Sequence, residues 1–334
     1  MNTPLFTRFV RRRNFAGFPF WVSASPETCG TLAARARDYA EAQTKGTEGF
    51  GAGVRLADCA PETLGLYREK GLLPERPVSF DGKRDFKMLF HRAGEFALFG
   101  EVEHWTRVNL VAGLPDPHVN GVTSPPNTAS EIPFAKSSSY GFLTSNPAFA
   151  GTGLQIEAGL HLPVLALERR IHIVQKSLGA MGYDLVPLSL KTPGFAESGY
   201  FRLLSRGGMD LPEETLYSNF AAKAGSVLSA EKGALEQWHA RESNRLEDHV
   251  HRALRLLQEA RRMEYAEVLS LASYTRIGVY LRILPENLRE LLETLRLQTQ
   301  PFHVRAELSE VSDEAENRAR ADFSRKLLSG IQPL

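Results

Sequence analysis

The sequence predicts an α+β chain with strands ahead of a helical C-terminal part, and three stretches carry that prediction. Residues 84–113, RDFKMLFHRAGEFALFGEVEHWTRVNLVAG, alternate apolar and polar side chains in two runs around Gly94, the pattern of a hairpin or of adjacent strands. Residues 184–206 read as a strand, a polar loop KTPGFAESG, and a second strand YFRLLSR. Beyond Leu211 the apolar residues recur three and four apart, as at Leu246, Val250, Leu254 and Leu257, which is the spacing of long amphipathic helices.

The remaining elements follow in chain order. Residues 1–20 are basic and aromatic, and SPETCGTLAARARDYAEAQ then reads as a helix opened by Ser25 or Pro26. A cluster of Pro, Gly, Asn and Ser at 113–133 predicts a long connection, not a domain boundary. From Pro163 to Met181 the apolar spacing is helical and stops at Gly182. The polar loop 191–199 suits either a mobile substrate loop or a plain connection between strands. Two helices are expected over 264–297, divided near Pro285, and a last one over 313–328. The expected division is 1–235 for the strand-bearing domain and 236–334 for the helical one. No internal repeat or low-complexity segment interrupts this plan.

Composition narrows the function. The 334 residues carry 40 basic and 39 acidic side chains, a net charge of +1, so nothing global favours nucleic acid or an anionic membrane, and an anion site must be local. Cys29 and Cys59 form neither a disulfide framework nor a zinc spacing, and the histidines show no metal pattern, so no metal ligands are assigned. The opening MNTPLFTRFVRRRNF lacks an apolar h-region and no run of eighteen apolar residues occurs, so the expected location is a reducing cytoplasm. One local candidate is the turn Gly151-Thr152-Gly153, where glycine lets backbone N–H groups approach a phosphate, although neutral Gln155 follows it.

The order of motifs resembles the ATP:guanidino phosphotransferase family, and within it the bacterial protein-arginine kinases. FTRFVRRRNFAGFPF at 6–20 is similar to the family's Ser-Ser-Arg-x-Arg-x-x-Arg-Asn opening, and Glu101 to Arg107 to its Asn-Glu-Glu-Asp-His-x-Arg strand. Asn146 to Gln155 resembles Cys-Pro-Thr-Asn-x-Gly-Thr-Gly-Leu-Arg, and LLSRGGMDLPEE at 203–214 echoes Ile-Ser-Asn-Gln-x-x-Leu-Gly-x-Ser-Glu-Glu. The resemblance implies an antiparallel sheet flanked by helices, the guanidino kinase catalytic fold, followed by a C-terminal helical domain for dimerisation and regulation. It also implies ATP and Mg²⁺, a homodimer, protein substrates or Clp-type protease machinery, and a zinc-binding activator.

Carried over residue by residue, the resemblance makes Arg8, Arg13 and Arg107, with Gly151, Thr152, Gly153 and Gln155, the nucleotide-binding set. Planar guanidinium forks pair bidentately with phosphate oxygens. Glu103 falls on the glutamate that orients the guanidinium and accepts its proton, and Asn146 on the active-site cysteine. Three family arginines are replaced, by Val10, Gln155 and Pro187; Val102 stands at the first glutamate and Thr192 at the loop's substrate glutamate. In the C-terminal part, 314–319 falls on the phosphoarginine motif Arg-Asp-x-x-Arg-Ala, of which Arg318 and Ala319 remain.

Plainer uses compete with these assignments. Glu103 and Arg107 share a strand face and suit an ion pair. Arg11 to Arg13 suit a solvated basic edge, or Arg11 or Arg12 a replacement phosphate contact. His104 and Trp105 suit packing, and His249 and His251 a polar helix face. Two functions stay open: a protein-arginine kinase-like phosphotransferase with a partly degraded phosphate site, or a catalytically inactive relative acting as an adaptor or regulator in bacterial protein quality control.

Overall fold

A computed structural model describes residues 4–42, 50, 53–74, 84–92, 94–115, 133–189, 192–208 and 211–334. Most of the predicted connection at 113–133 therefore lies outside the described residues. In chain order the strands are β1 (Phe6–Arg13), β2 (Val54–Arg55), β3 (Met88–Arg92), β4 (Glu95–Phe99), β5 (Trp105–Ala112), β6 (Lys136–Ser137), β7 (Gly141–Phe142), β8 (Leu154–His161), β9 (Tyr183–Pro187) and β10 (Tyr200–Ser205). The helices are α1 (Pro26–Ala42), α2 (Pro61–Glu69), α3 (Pro163–Leu167), α4 (Ile171–Ala180), α5 (Glu213–Glu259), α6 (Tyr265–Tyr280), α7 (Leu288–Gln298), α8 (Pro301–Ala306) and α9 (Asp313–Leu327).

Eight strands form one antiparallel sheet in the order β2-β3-β4-β5-β1-β8-β10-β9, while β6 and β7 pair separately. The hairpin expected around Gly94 is β3–β4, and β5 extends it. The basic segment β1 is a central strand, not a solvated edge, with β5 on one side and β8 on the other.

Alternation along these strands gives the sheet two different faces. On one, Val10, Phe96, Leu98 and Val108 pack with Leu64 of α2. On the other, Phe9, Ile156, Ala158 and Leu203 meet Tyr217 and Phe220 of α5, while Ala97, Phe99 and Trp105 meet Leu32 and Ala36 of α1. The core under α5 continues without a break into α6, α7 and α9. Helix α5 thus runs through the expected boundary at 235/236, and it kinks at Glu242, whose φ of −142° and ψ of 44° leave the helical region.

Two local features differ from expectation. The single helix over 163–181 is two, because Arg169 takes a φ of 56° between α3 and α4. A short helix, α8, stands between α7 and α9. The β9–β10 connection is anchored to α6: Phe195 is buried against Tyr200, Tyr265 and Leu269. Beside it Gly194, with a φ of +93°, lies where an added Cβ would come within 2.8 Å of the Ala266 Cα. Among the described residues no helix is long and apolar enough to cross a membrane.

Candidate functional site

The candidate site is the face of the sheet that carries Arg8. From β1 this face receives Arg8, Val10 and Arg12, every second residue; the register places Glu157 and Gln155 of β8 opposite Arg8 and Val10, and Thr106 of β5 opposite Arg12. Strand β10 adds Arg202 and Leu204. Two of the substituted positions, Val10 and Gln155, are therefore direct cross-strand neighbours at the centre of the face.

One carboxylate serves the cations of this face. Oε2 of Glu157 lies 3.7 Å from Nη1 of Arg8 and 3.7 Å from Nη1 of Arg202. Both separations exceed hydrogen-bonding distance, and that oxygen, on a residue only 8% exposed, accepts no hydrogen bond. Arg8 also donates to the carbonyl of Gly71 and lies over the Phe96 ring. Arg12 donates from Nη2 to Oε1 of Gln155 at 2.7 Å and covers the Phe149 ring at 4.1 Å, while its Nη1 is buried without a hydrogen-bond partner. Burial lowers the Arg12 pKa against the opposing pull of Glu157 and Glu103. The amide of Gln155 is used at both ends, since its Nε2 donates to the Ser205 carbonyl at 3.0 Å.

The Gly-Thr-Gly turn has the opposite polarity from a phosphate cradle. Nη1 of Arg13 enters it and donates to the carbonyls of Arg12 and Thr152 at 2.7 and 2.9 Å, with its guanidinium 3.7 Å from the centre of the Phe142 ring. Glycine is required at 153 because a Cβ there would strike the Arg13 guanidinium and the Arg12 carbonyl. The turn's amides are partly engaged as well: Gly151 N–H donates to Phe142, and Leu154 N–H to Oγ1 of Thr152. Burial lowers the Arg13 pKa to about 10.

Glu103 is sealed. It is fully buried, and Oε2 accepts from Nδ2 of Asn14 at 2.6 Å, from Ser145 N at 2.9 Å and from Ser145 Oγ at 2.9 Å. It forms no pair with Arg107, so the expected Glu103–Arg107 contact is corrected. Next to it His104 is a packing residue: Nδ1 accepts from Phe15 N–H at 3.0 Å, and burial lowers its pKa. Asn146 is exposed and caps the turn at Pro147–Phe149, its Oδ1 accepting from Ala148 N at 3.0 Å.

Arg107 lies on the other face. It is in register with Arg11 and pairs with Glu95 of β4, while Arg11 reaches Glu213 at the start of α5 at 2.9 Å. The expectation that Arg8 and Arg107 flank one phosphate group is thus corrected by strand alternation, since residues three apart on β1 point to opposite faces. Pro187 sits in β9 opposite Phe201, and Thr192 lies far along the connection, beside α6 and α9.

A second cluster surrounds α9, lining a cleft of about 420 Å³ with Thr192, Tyr265, Glu316, Asn317 and Arg320. Arg318 is not in it; exposed on the outer side of α9, it pairs with Glu314 at 2.8 Å. Arg320 is buried and fully engaged, donating to Thr299 O, Asn317 Oδ1 and Glu316 Oε2 at 2.9, 2.8 and 2.7 Å. Among the described residues no group of three or more His, Cys, Asp or Glu could hold a metal ion.

Sequence reasoning missed Glu157, Arg202 and Arg320. The alternation that puts Glu157 two residues beyond Gln155 was a usable signal. The β8–β10 pairing that brings Arg202 to it was not, because it joins distant segments.

Comparison with known proteins adds the family context. Residues 243–333 match the family described as protein-arginine kinase McsB C-terminal domain, and residues 127–206 the ATP:guanido phosphotransferase C-terminal catalytic domain. Similar curated relatives include the protein-arginine kinase of Clostridium tetani, 30% identical over 203 residues, with 60% of this chain and 59% of that protein covered. That of Symbiobacterium thermophilum is 28% identical over 302 residues, covering 89% and 84%. A third, from Desulforamulus reducens, is 33% identical over 154 residues, covering 46% of this chain and 43% of the relative. The first two curated matches thus span 59% and 43% of their relatives' length. Among solved structures, lombricine kinase aligns with a TM-score of 0.55 at 14% identity, covering 70% of this chain and 67% of that one. The duplicated taurocyamine kinase from Schistosoma mansoni, with bound transition state analog components, aligns at 0.54 and 16%, covering 71% and 34%. These structures share the antiparallel sheet flanked by helices.

Proposed function

The chain belongs to the ATP:guanidino phosphotransferase family, as a divergent relative of its protein-arginine kinases, and from that premise we propose that it has kept the fold without the kinase activity. The observation that carries this reading is the composition of the Arg8 face. Phosphoryl transfer stabilises developing negative charge with several cations, each worth powers of ten in rate. Here the centre of the face is Val10 and Gln155, and the flanking arginines share one internal carboxylate, Glu157.

The faces also favour a different alignment of the acidic strand. An arginine that joins Arg8 on a phosphate must project from the same face, and in β5 that residue is Thr106. Sliding the family motif one residue earlier puts Glu101 on its first glutamate, Val102 on its second, Glu103 on its aspartate, His104 on its histidine and Thr106 on its arginine. Val102, 45% exposed and unable to accept a proton, then occupies the position of the guanidinium-orienting carboxylate. Sealed Glu103 becomes a structural residue that ties the strand's entry to Asn14 and Ser145.

Under this reading MgATP does not fit the face as it stands, and no catalytic step runs through it. The role left to the chain is protein contact, as an adaptor or regulator in bacterial protein quality control, with a second copy or Clp-type protease machinery as partners. Arg12 favours a second reading, a weak kinase, since its unpartnered Nη1 supplies a cation that the family motif lacks at that position. A phosphoarginine assay decides between them: the wild-type chain is incubated with radiolabelled ATP and a protein mixture. No labelling is expected. Labelling that is abolished by Arg8→Ala and Arg12→Ala establishes the kinase instead.

A further inference from the structure

We propose that Glu157 is a specificity-determining residue, a built-in anion that occupies the guanidinium cage of the Arg8 face and excludes phosphate groups from it. This role of Glu157 rests on the reading of the chain as a silent relative.

Two guanidiniums approach this carboxylate. Arg8 and Arg202 both reach the same oxygen, Oε2, at 3.7 Å, while Arg12, four residues from Arg8 on β1, donates to Gln155. Neither approach to Glu157 is a close charge-assisted hydrogen bond, for which N–H to O⁻ distances run at about 2.7–2.9 Å. Oε2 of Glu157 and Nε of Arg202 are buried without hydrogen-bond partners, and farther along the same face so is Nη1 of Arg12.

Such gaps have a simple cause. A carboxylate on a strand backbone supplies two oxygens from a fixed root, and it settles between its cations without bonding any of them closely. A phosphate or pyrophosphate, free to move and richer in oxygens, would bond several of these donors at once. What prevents this is Glu157 itself: an incoming anion must sit within a few ångströms of a buried like charge, which is strongly unfavourable at low effective dielectric. With Glu157 present, the face carries the outline of a phosphate site and rejects its ligand.

The test measures inorganic pyrophosphate, and separately MgADP, binding to the full chain by titration calorimetry, comparing wild type with Glu157→Gln. Wild type is expected to give no heat at millimolar pyrophosphate, and Glu157→Gln to bind it with a gain of about tenfold or more, as expected for removing a close like charge. Adding Arg202→Gln to the Glu157→Gln chain is expected to abolish the gain. Equal affinity in wild type and Glu157→Gln overturns the proposal, as does a gain insensitive to Arg202→Gln. Glu157→Ser is run alongside; if neither variant folds, the carboxylate is a counter-ion the arginines cannot do without, and the proposal also falls. These outcomes are separable from the kinase reading, because phosphoarginine formation by wild type sinks that reading, whereas equal pyrophosphate affinities sink only the role of Glu157.

Discussion

Two of the arginine–carboxylate clusters among the described residues, one on the Arg8 face of the sheet and one at α9, are built to opposite standards. Under α9, Glu316 takes Arg305 at 2.6 Å on one oxygen and Arg320 at 2.7 Å on the other, and the remaining Arg320 donors reach Asn317 and Thr299. On the sheet, Glu157 stands 3.7 Å from each of its two paired arginines, and its Oε2 and the Nε of Arg202 go without hydrogen bonds. Buried charge is tolerated when every donor and acceptor is satisfied, and a loose arrangement persists only where the surrounding structure holds it. The α9 cluster is therefore a structural joint, whereas the sheet cluster leaves buried polar atoms unsatisfied.

The largest effect expected from this difference is at Glu316. Glu316→Ala leaves Arg320 buried and Arg305 unpaired, and breaking a buried pair in this way costs about 3–5 kcal/mol. Urea denaturation should show it, with helix α9 losing protection in amide exchange before the sheet does. A loss comparable to that of an exposed ion pair would mean the two clusters do not differ in kind.

A third carboxylate, Glu231, sharpens the contrast because backbone N–H groups, not an ion pair, hold it. Glu231 of α5 is fully buried and accepts from the N–H groups of Val164 and Leu165 at the start of α3, at 2.8 and 3.0 Å. Burial raises its pKa from 4.5 to about 7, opposed by those two hydrogen bonds, with Glu168 adding to the rise and Arg170 opposing it. The folded carboxyl thus holds its proton at pH values where the unfolded one has lost it. Its contribution is fully present below about pH 4.5, falls as pH rises, and is lost by about pH 7. At about 1.4 kcal/mol per pKa unit the loss is roughly 3 kcal/mol. Unfolding free energies of wild type minus those of Glu231→Gln, measured across that window, should slope downward with pH; a flat difference would place the ionised form in the folded protein.

The next effect is smaller. Glu157→Gln keeps the side chain's shape and removes a charge that forms no close hydrogen bond, so its cost should stay below the ~3–5 kcal/mol of breaking a close buried pair. Chemical denaturation of the two chains measures it. A loss approaching that of Glu316→Ala would show the sheet cluster to be a joint as well, despite its distances.

Much of the architecture could be read from the chain. The hairpin around Gly94, helix α1 and the helices of the C-terminal third are periodic over enough residues to declare themselves. The six-residue α8 is too short to show a period, and the break at Arg169 falls inside a run whose apolar spacing continues on either side. Site residues were harder. A motif laid on the sequence does not say which face a side chain occupies, and a slip of one residue reverses every assignment in a strand. Arg107 and Glu103 illustrate this: each has the right chemistry, yet one projects from the α1 side and the other is sealed. Gly153 was recognised as a close-approach glycine, but its visitor is Arg13, a cation.

The smallest effect concerns Arg318, and it tests the alignment of the C-terminal motif. If that motif is laid on 314–319, Arg318 is its surviving arginine; if it is laid two residues later, on 316–321, the arginine is Arg320 and Glu316 takes the place of the first. The structure separates the two physically, because Arg318 is exposed with a single i,i+4 partner, Glu314, and Arg320 is buried with three. Exposed helix pairs contribute about 0.3–0.5 kcal/mol, so Arg318→Ala should lower stability by that much and leave the α9 cleft intact. Arg320→Ala, by contrast, strands Glu316 and Asn317 inside and should approach the cost of Glu316→Ala. Thermal unfolding of the two variants side by side decides it: similar shifts would show that Arg318 is tied into the cluster after all, and would return the motif to 314–319.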